Sequence, residues 1–453
     1  MRTLYKVPKG AFDVVNGEIK EFVVENGVFS FDFYKKVDRV ETLEGYVYPG
    51  FIDAHAHLVG TGKKALVPSL DDVESMEELL QIASQNDYQV LRGWDDEKLG
   101  RYPTKEELNT IKHPLLVVRR CGHVGVANDA FMKMTGVKAK DGILKENDLA
   151  KALNSLSESE EELIQEVKAG EKEFFKYGVT SVHSDDMYSL PFEMIQKALR
   201  HAKIDVYEHY HVHSLKELNE FIQNGKPLPS IKILLDGSLG AHTAYLRKPY
   251  ADIPTRGVLN IPEEEFVEIV KTADKNGIQA CVHVIGDGAL DIAWEAFKNS
   301  NPSLRHRLIH VQIIHDDQIE KIKEEKLFLD VQPQFFVSDE KMALERLGER
   351  VKYSYRFKEM MQMGIPTAFS SDSPVEIPNP IEGIKAAKKL GINTKDALDA
   401  YTTQGAYQEF GENKKGIFKE GAKSDFVLLS EPIENEKAEV IATYKNGERV
   451  YEK

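Results

Sequence analysis

Histidines and an aspartate near the ends of apolar segments are the side chains that could do chemistry in this chain. His55 and His57 stand two apart in FIDAHAHL, His283 lies in QACVHVIG, His310 in RLIHVQ, and Asp372 closes PTAFSSD. On a strand, residues i and i+2 share a face about 6.6–6.8 Å apart along the chain, so two imidazoles at that spacing can converge on one cation. A lone pair of this kind is more often two polar residues leaving a strand for a loop. Imidazole and carboxylate at the same end of four strands is a stronger pattern, because together they form a donor set for a divalent metal. Water activated by such an ion is a nucleophile at neutral pH.

The elements that must position these groups alternate between helix and strand from about residue 170 to 410. In the clearest unit Pro262 opens a helix, Glu263, Glu264 and Glu265 suit its positive end, and Phe266, Ile269, Val270 and Ala273 mark one face before Gly277 stops it. A strand, QACVHVIG, follows at once. Eight strand candidates occur in order: PGFIDAHAHL, VTSVHSD, DVYEHYHVH, IKILLDG, QACVHVIG, RLIHVQ, LFLDVQP and PTAFSSD. Apolar strands separated by helices predict a parallel sheet, and eight of them predict an α/β fold closed as a (β/α)8 TIM barrel over residues 49–412. The stretch from about 60 to 165 is too long for a crossover and reads as an insertion after the first barrel strand, with its own strand PLLVVRRCGH left outside the barrel. Residues 1–48 and 413–453 alternate apolar and polar residues around Asn16-Gly17, Asn26-Gly27 and Asn446-Gly447, dipeptides suited to hairpin turns. These two ends are expected to meet in one small composite β-sandwich domain.

Composition removes other classes. With 453 residues, 42% hydrophobic and 29% charged, the chain can bury a core and is not disordered. Its 59 Lys+Arg against 74 Asp+Glu, a net charge of -15, argue against nucleic acid as partner. No stretch reaches the roughly 18 apolar residues of a membrane helix, and MRTLYKVPKGAF has no signal core, so a soluble cytoplasmic protein without membrane partners is expected. The two cysteines, Cys121 and Cys281, form no CxxC pattern, and no P-loop or dinucleotide fingerprint occurs in strand-to-helix context.

Taken together, PGFIDAHAHL, GWDDEKL, RRCGHVGVAN, IKILLDGSLGAHTAYLRKPYAD, VHVIGDGAL, SSDSPV and GIFKEGAKSDFVLL resemble the amidohydrolase superfamily of metal-dependent hydrolases across nearly the whole chain. Within it the resemblance is to the branch containing N-substituted formamide deformylase. It implies two divalent ions, usually zinc: His55 and His57 holding the first with Asp372, and His283 and His310 holding the second. Lys232 matches a position that such enzymes carboxylate with CO2 to a carbamate bridging both ions; an ordinary ion pair is the alternative for it. Asp372 is then the general base, and His123 and His242 line the substrate pocket, His242 standing where arginine is usual. A homodimer is compatible with the same resemblance. His209 and His211 read as core or interface residues, His213 as a rim residue, His183 and Asp185 as pocket wall, Asp287 as fixing its own turn, and Trp94 as core of the insertion.

The activity expected is hydrolysis of a carbon–nitrogen bond other than a peptide bond in a small amide, N-formyl or N-acyl compound. An ester, lactone or phosphoester hydrolase on the same site is the rival chemistry, and a catalytically silent barrel that only binds is the rival class.

Overall fold

The structure is a computed structural model and describes every residue except 86, 120–123, 157–158, 187–190 and 226–228. The chain opens with five strands, β1 (Arg2–Asp13), β2 (Gly17–Glu25), β3 (Val28–Ser30), β4 (Arg39–Thr42) and β5 (Tyr46–Pro49), and β6 (Phe51–Ala56) follows with every residue buried. Asn26 and Gly27, at φ 52° and 82°, make the tight turn from β2 to β3, the backbone an Asn-Gly dipeptide tolerates.

The chain divides into two compact units, residues 59–170 and residues 1–58 with 171–453. The smaller unit carries β7 (Val90–Trp94), β8 (Leu116–Arg119), β9 (Val124–Ala127) and β10 (Ile143–Lys145), ordered β10-β9-β8-β7. Trp94 lies in its core and donates its indole N–H to the Val117 carbonyl at 3.0 Å, which satisfies the one polar group of a fully buried ring.

In the larger unit come β11 (Val179–Ser184), β12 (Asp205–Glu208), β13 (Tyr210–His211), β14 (Ser230–Leu234), β15 (Gln279–Val284), β16 (Arg307–His310), β17 (Phe328–Val331) and β18 (Thr367–Phe369). All pair in parallel, and helices connect them in a mixed α/β arrangement. The helix Glu263–Lys275 shows why: Phe266, Ile269, Val270 and Ala273 are its buried stripe, the large ones each stabilising by about 1.5–3 kcal/mol. The ladders form two runs, β6-β11-β12 and β13 through β18 in order, instead of one continuous ring. His209 alone separates β12 from β13, and β18 is only three residues long, so it ends before it can make a ladder with β6. Beyond that short strand, the segments after β18 and β6 bond directly: Asp372 N–H to the His55 carbonyl at 2.9 Å and His57 N–H to the Ser373 carbonyl at 2.7 Å.

The chain closes with β19 (Phe426–Leu429), β20 (Val440–Lys445) and β21 (Glu448–Glu452). They join the N-terminal strands in a single eight-stranded sheet, ordered β21-β20-β19-β5-β1-β2-β3 with β4 beside β1. Tyr5, Phe22, Phe29, Phe418, Phe426 and Tyr444 pack ring against ring in its core. Among the described residues, no helix is long and apolar enough to cross a membrane.

Candidate metal centre

The pairing of β6 with β11 sets Asp53 opposite Val182 and Ala56 opposite Ser184, so two residues, Ala54 and His55, face one, His183. This is a β-bulge, which bends a strand and re-aims its side chains. His55 is 1% exposed, and His57 follows just past the strand. On the other side the chain leaves β18 through Ser370 and Ser371 to Asp372, which sits at φ 56°, a left-handed conformation that costs a residue with a side chain. Asp53 ties the two segments, accepting the Ser371 N–H at 3.0 Å and the Ser371 hydroxyl at 2.5 Å. The outcome is that Asp372 Oδ1 lies 3.3 Å from Nε2 of His55 and 3.3 Å from Nε2 of His57. These three ligand atoms all lie within 4.8 Å of one another.

The other expected ligands adjoin this trio. The His310 ring centroid is 5.3 Å from that of His55 and 4.5 Å from that of His283, and His310 is again left-handed, at φ 79°. Lys232, on β14 and 1% exposed, brings Nζ to 3.3 Å from His55 Nε2. Hydrogen bonds to groups that can only accept set several tautomers. His57 donates Nδ1–H to the Asp185 carbonyl at 2.6 Å, His310 donates Nδ1–H to Gln332 Oε1 at 2.8 Å, and His283 donates Nε2–H to the Gly237 carbonyl at 3.2 Å. In the neutral rings the lone pair is therefore on Nε2 of His57, Nε2 of His310 and Nδ1 of His283.

The electrostatics suit ligands. Burial, then the charge of Lys232, pushes His55 down to about 3 and His283 down to about 4. Burial and then His283 hold His310 well below its usual value. Burial would raise Asp372, but hydrogen bonds from His55 and His57 outweigh it and keep the carboxyl well below the usual range. His57 is the exception: burial lowers it, yet Asp372 wins and lifts it to about 9. A neutral His57 would set its Nε2 lone pair against Asp372 Oδ1, two acceptors at 3.3 Å, so a positive charge is needed between them. A proton can supply it, and so can a divalent cation, to which imidazole and carboxylate are fitting donors for zinc, manganese, iron or cobalt. The residues present fit a metal.

Sequence reasoning missed four contributors. Asp185, read as pocket wall, places Oδ2 3.1 Å from Lys232 Nζ and Oδ1 3.3 Å from His211 Nδ1. His211 is therefore tied to the centre through Asp185, whereas it reads as a core or interface residue. The signal was Asp185 itself, an acidic residue closing VTSVHSD just as Asp372 closes PTAFSSD. Gln332 orients His310, as above, and is itself held by Ser370, to whose hydroxyl it donates at 2.8 Å. Asp236 accepts main-chain N–H groups from Ile285 at 3.0 Å, Gly286 at 2.8 Å and Tyr245 at 2.9 Å, and so fixes the turn after β15. That corrects the role read for Asp287, whose carboxylate instead takes the Arg247 N–H at 2.8 Å and His315 Nε2 at 3.0 Å. The turn must be glycine at 286, because a Cβ there would lie 2.1 Å from the Tyr245 carbonyl oxygen.

His242, at φ 59°, bonds through Nε2 to Asp252 Oδ2 at 2.9 Å, a carboxylate that Arg346 also holds, and its ring meets Tyr250 edge to face. His123 lies outside the described residues. His209 is fully buried against Ser230 Oγ at 2.8 Å, and His213 sits half exposed on Glu217 at 3.2 Å.

This parallel-strand scaffold with imidazoles, a carboxylate and a lysine gathered at its strand ends has a recognised counterpart: residues 43–451 match the Amidohydrolase family, and the chain belongs to it. It is an amidohydrolase-family hydrolase. Among the proteins it resembles, YtcJ of Bacillus subtilis (strain 168) is 29% identical over 481 residues, covering 91% of this chain and 90% of that one. N-substituted formamide deformylase of Arthrobacter pascens is 21% identical, covering 90% of this chain and 88% of that one. An uncharacterized metal-dependent hydrolase from Pyrococcus horikoshii OT3 superposes with a TM-score of 0.84 at 28% identity, covering 100% of both chains.

Proposed function

We propose that this protein hydrolyses a carbon–nitrogen bond other than a peptide bond in a small amide, N-formyl or N-acyl compound, at a binuclear metal centre on a (β/α)8 barrel. The barrel takes residues 49–412 with an insertion after its first strand, and residues 1–48 and 413–453 form the accessory β-domain. The observation that carries the reading is Asp372 Oδ1 facing two imidazole nitrogens at 3.3 Å each, with His310, His283 and Lys232 contiguous behind them.

His55, His57 and Asp372 would hold one ion, His283 and His310 the other, and Lys232, carboxylated by CO2, would bridge them. Divalent ions here, zinc in this reading, would supply Lewis acidity and lower the pKa of water to near neutrality. The chain's own groups do the rest. Asp372, held ionised, takes the proton from the attacking water and passes it to the leaving nitrogen. The Asp185 carbonyl and Gln332 keep His57 and His310 in the tautomers that leave Nε2 free. His242, oriented by Asp252, and His123 are assigned to the substrate pocket. Similarity to a protein named for N-substituted formamides supports the N-formyl class.

The test is a panel of N-formyl, N-acyl and cyclic amides beside esters, lactones and phosphoesters, assayed before and after chelation and after metal return. Amide turnover that disappears with chelator and returns with metal is the expected result. Turnover of esters alone would replace the carbon–nitrogen reading with ester hydrolysis, and turnover indifferent to chelation would sink the metal mechanism.

A further inference from the structure

The bulge in β6 puts Ala54 and His55 opposite one residue, and the Ala54 carbonyl is held from beyond the ladder: Arg307 Nη2 donates to it at 2.7 Å. Arg307 opens β16, three residues before His310, and is 0% exposed. The same Nη2 donates to His183 Nδ1 on β11 at 3.0 Å and lies 2.6 Å from Asp330 Oδ2 on β17, where Nε also donates at 2.8 Å. One guanidinium on β16 therefore grips β6, β11 and β17. Its grip on Asp330 is one-sided. Both contacts go to Oδ2, while Arg307 Nη1 and Asp330 Oδ1 are buried without a hydrogen bond that meets standard geometry among the described residues. Arg–carboxylate pairs frequently take a parallel fork that uses both oxygens. Here Nε and Nη2 share Oδ2, and the same Nη2 reaches Ala54 O.

We infer that Arg307 is a positioning residue of the metal centre, a role that rests on the metal reading above. By fixing the carbonyl immediately before His55, it sets the angle at which His55 and His57 leave the bulge, and it ties that angle to the strand that ends in His310. Asp53 fixes the same strand from the side of Asp372, so the first pair of ligands is braced from both neighbours. Lysine cannot substitute, because a single ammonium lacks the fork that spans Ala54 O, His183 and Asp330 together.

The test uses the full chain purified without chelator, as parent, Arg307→Lys, Arg307→Met and Asp330→Asn. Zinc affinity is read by competition with a chromophoric chelator, the ligand-field spectrum is read after cobalt(II) loading, and circular dichroism checks the fold. The parent is expected to bind, and both Arg307 variants to lose at least about tenfold in zinc affinity with altered cobalt bands. Asp330→Asn, which keeps an acceptor for Arg307, is expected to retain the parent bands even where it melts earlier. A folded Arg307→Lys with parental affinity and parental bands would overturn the inference, and this variant carries the test should Arg307→Met not fold. A parent that binds no metal would instead overturn the metal reading, and this inference with it.

Discussion

Lys232 Nζ lies 3.1 Å from Asp185 Oδ2, with side chains 2% and 3% exposed. Burial alone would raise Asp185, but Lys232 and then His211 pull it well below the usual carboxylate value. The Lys232 charge thus helps to keep the Asp185 carboxylate ionised. Carboxylation of Lys232 would exchange this ion pair for a bridging ligand, with His211 left as the side-chain partner of Asp185.

Replacing Lys232 by Met removes both possibilities. Breaking a buried pair leaves an uncompensated charge and costs about 3–5 kcal/mol, so urea unfolding of the metal-free variant should show a loss of that order. Metal content per chain should fall as well, since no bridge can form. A variant as stable as the parent, with undiminished metal, would remove Lys232 from the centre.

Asp372→Asn tests the proton transfer. Asparagine tolerates the left-handed φ of 56° better than most residues, and its amide can still occupy the same turn. Hydrolysis of an amide identified by the panel should drop by about 10²-fold or more in kcat at metal content matched to the parent, and the metal-free variant should melt earlier because His57 loses the carboxylate that holds its charge. Full activity in the variant would show that another group moves the proton.

Gln332→Leu leaves the His310 Nδ1–H without its acceptor. Zinc affinity is expected to fall about 10–100-fold, the usual effect of losing the group that orients a ligating imidazole. Chelator competition measures it, and an unchanged affinity would mean that His310 is no ligand.

The legible part of this molecule was whatever a short segment states by itself. HxH, the aspartate closing PTAFSSD, and histidines near apolar strand ends all name residues that the fold brings together. The helix Glu263–Lys275 was equally readable, because its stripe, its acidic first turn and Gly277 are local. What escaped depends on pairings between distant segments. The bulge at Ala54 and His55 exists only against β11, and the part played by Asp185 only against Lys232. Asp236 took the turn read for Asp287 because the amides it binds come from the far side of a long loop. The division of the parallel strands into two runs turns on His209 and on the brevity of β18, which apolar patterning does not mark.

His183 makes stability depend on pH. Burial, then Arg307, pushes it down to about 4, against 6.5 in an unfolded chain. Between those values the unfolded state binds the proton and the folded state does not, so stability rises with pH there and is lost as pH falls from 6.5 towards 4. His183→Gln, which keeps an acceptor for Arg307, should narrow the gap in melting temperature between pH 4.5 and pH 7. An identical gap in parent and variant would contradict the assignment.

The most direct measurement is anomalous diffraction at the zinc absorption edge from crystals of the zinc-reconstituted chain. Two peaks are predicted about 3.5–4 Å apart, one among His55, His57 and Asp372 and the other beside His283 and His310, with density for a carboxylated Lys232 between them. A site empty of anomalous density, or ions bound only at residues away from this cluster, would contradict the account.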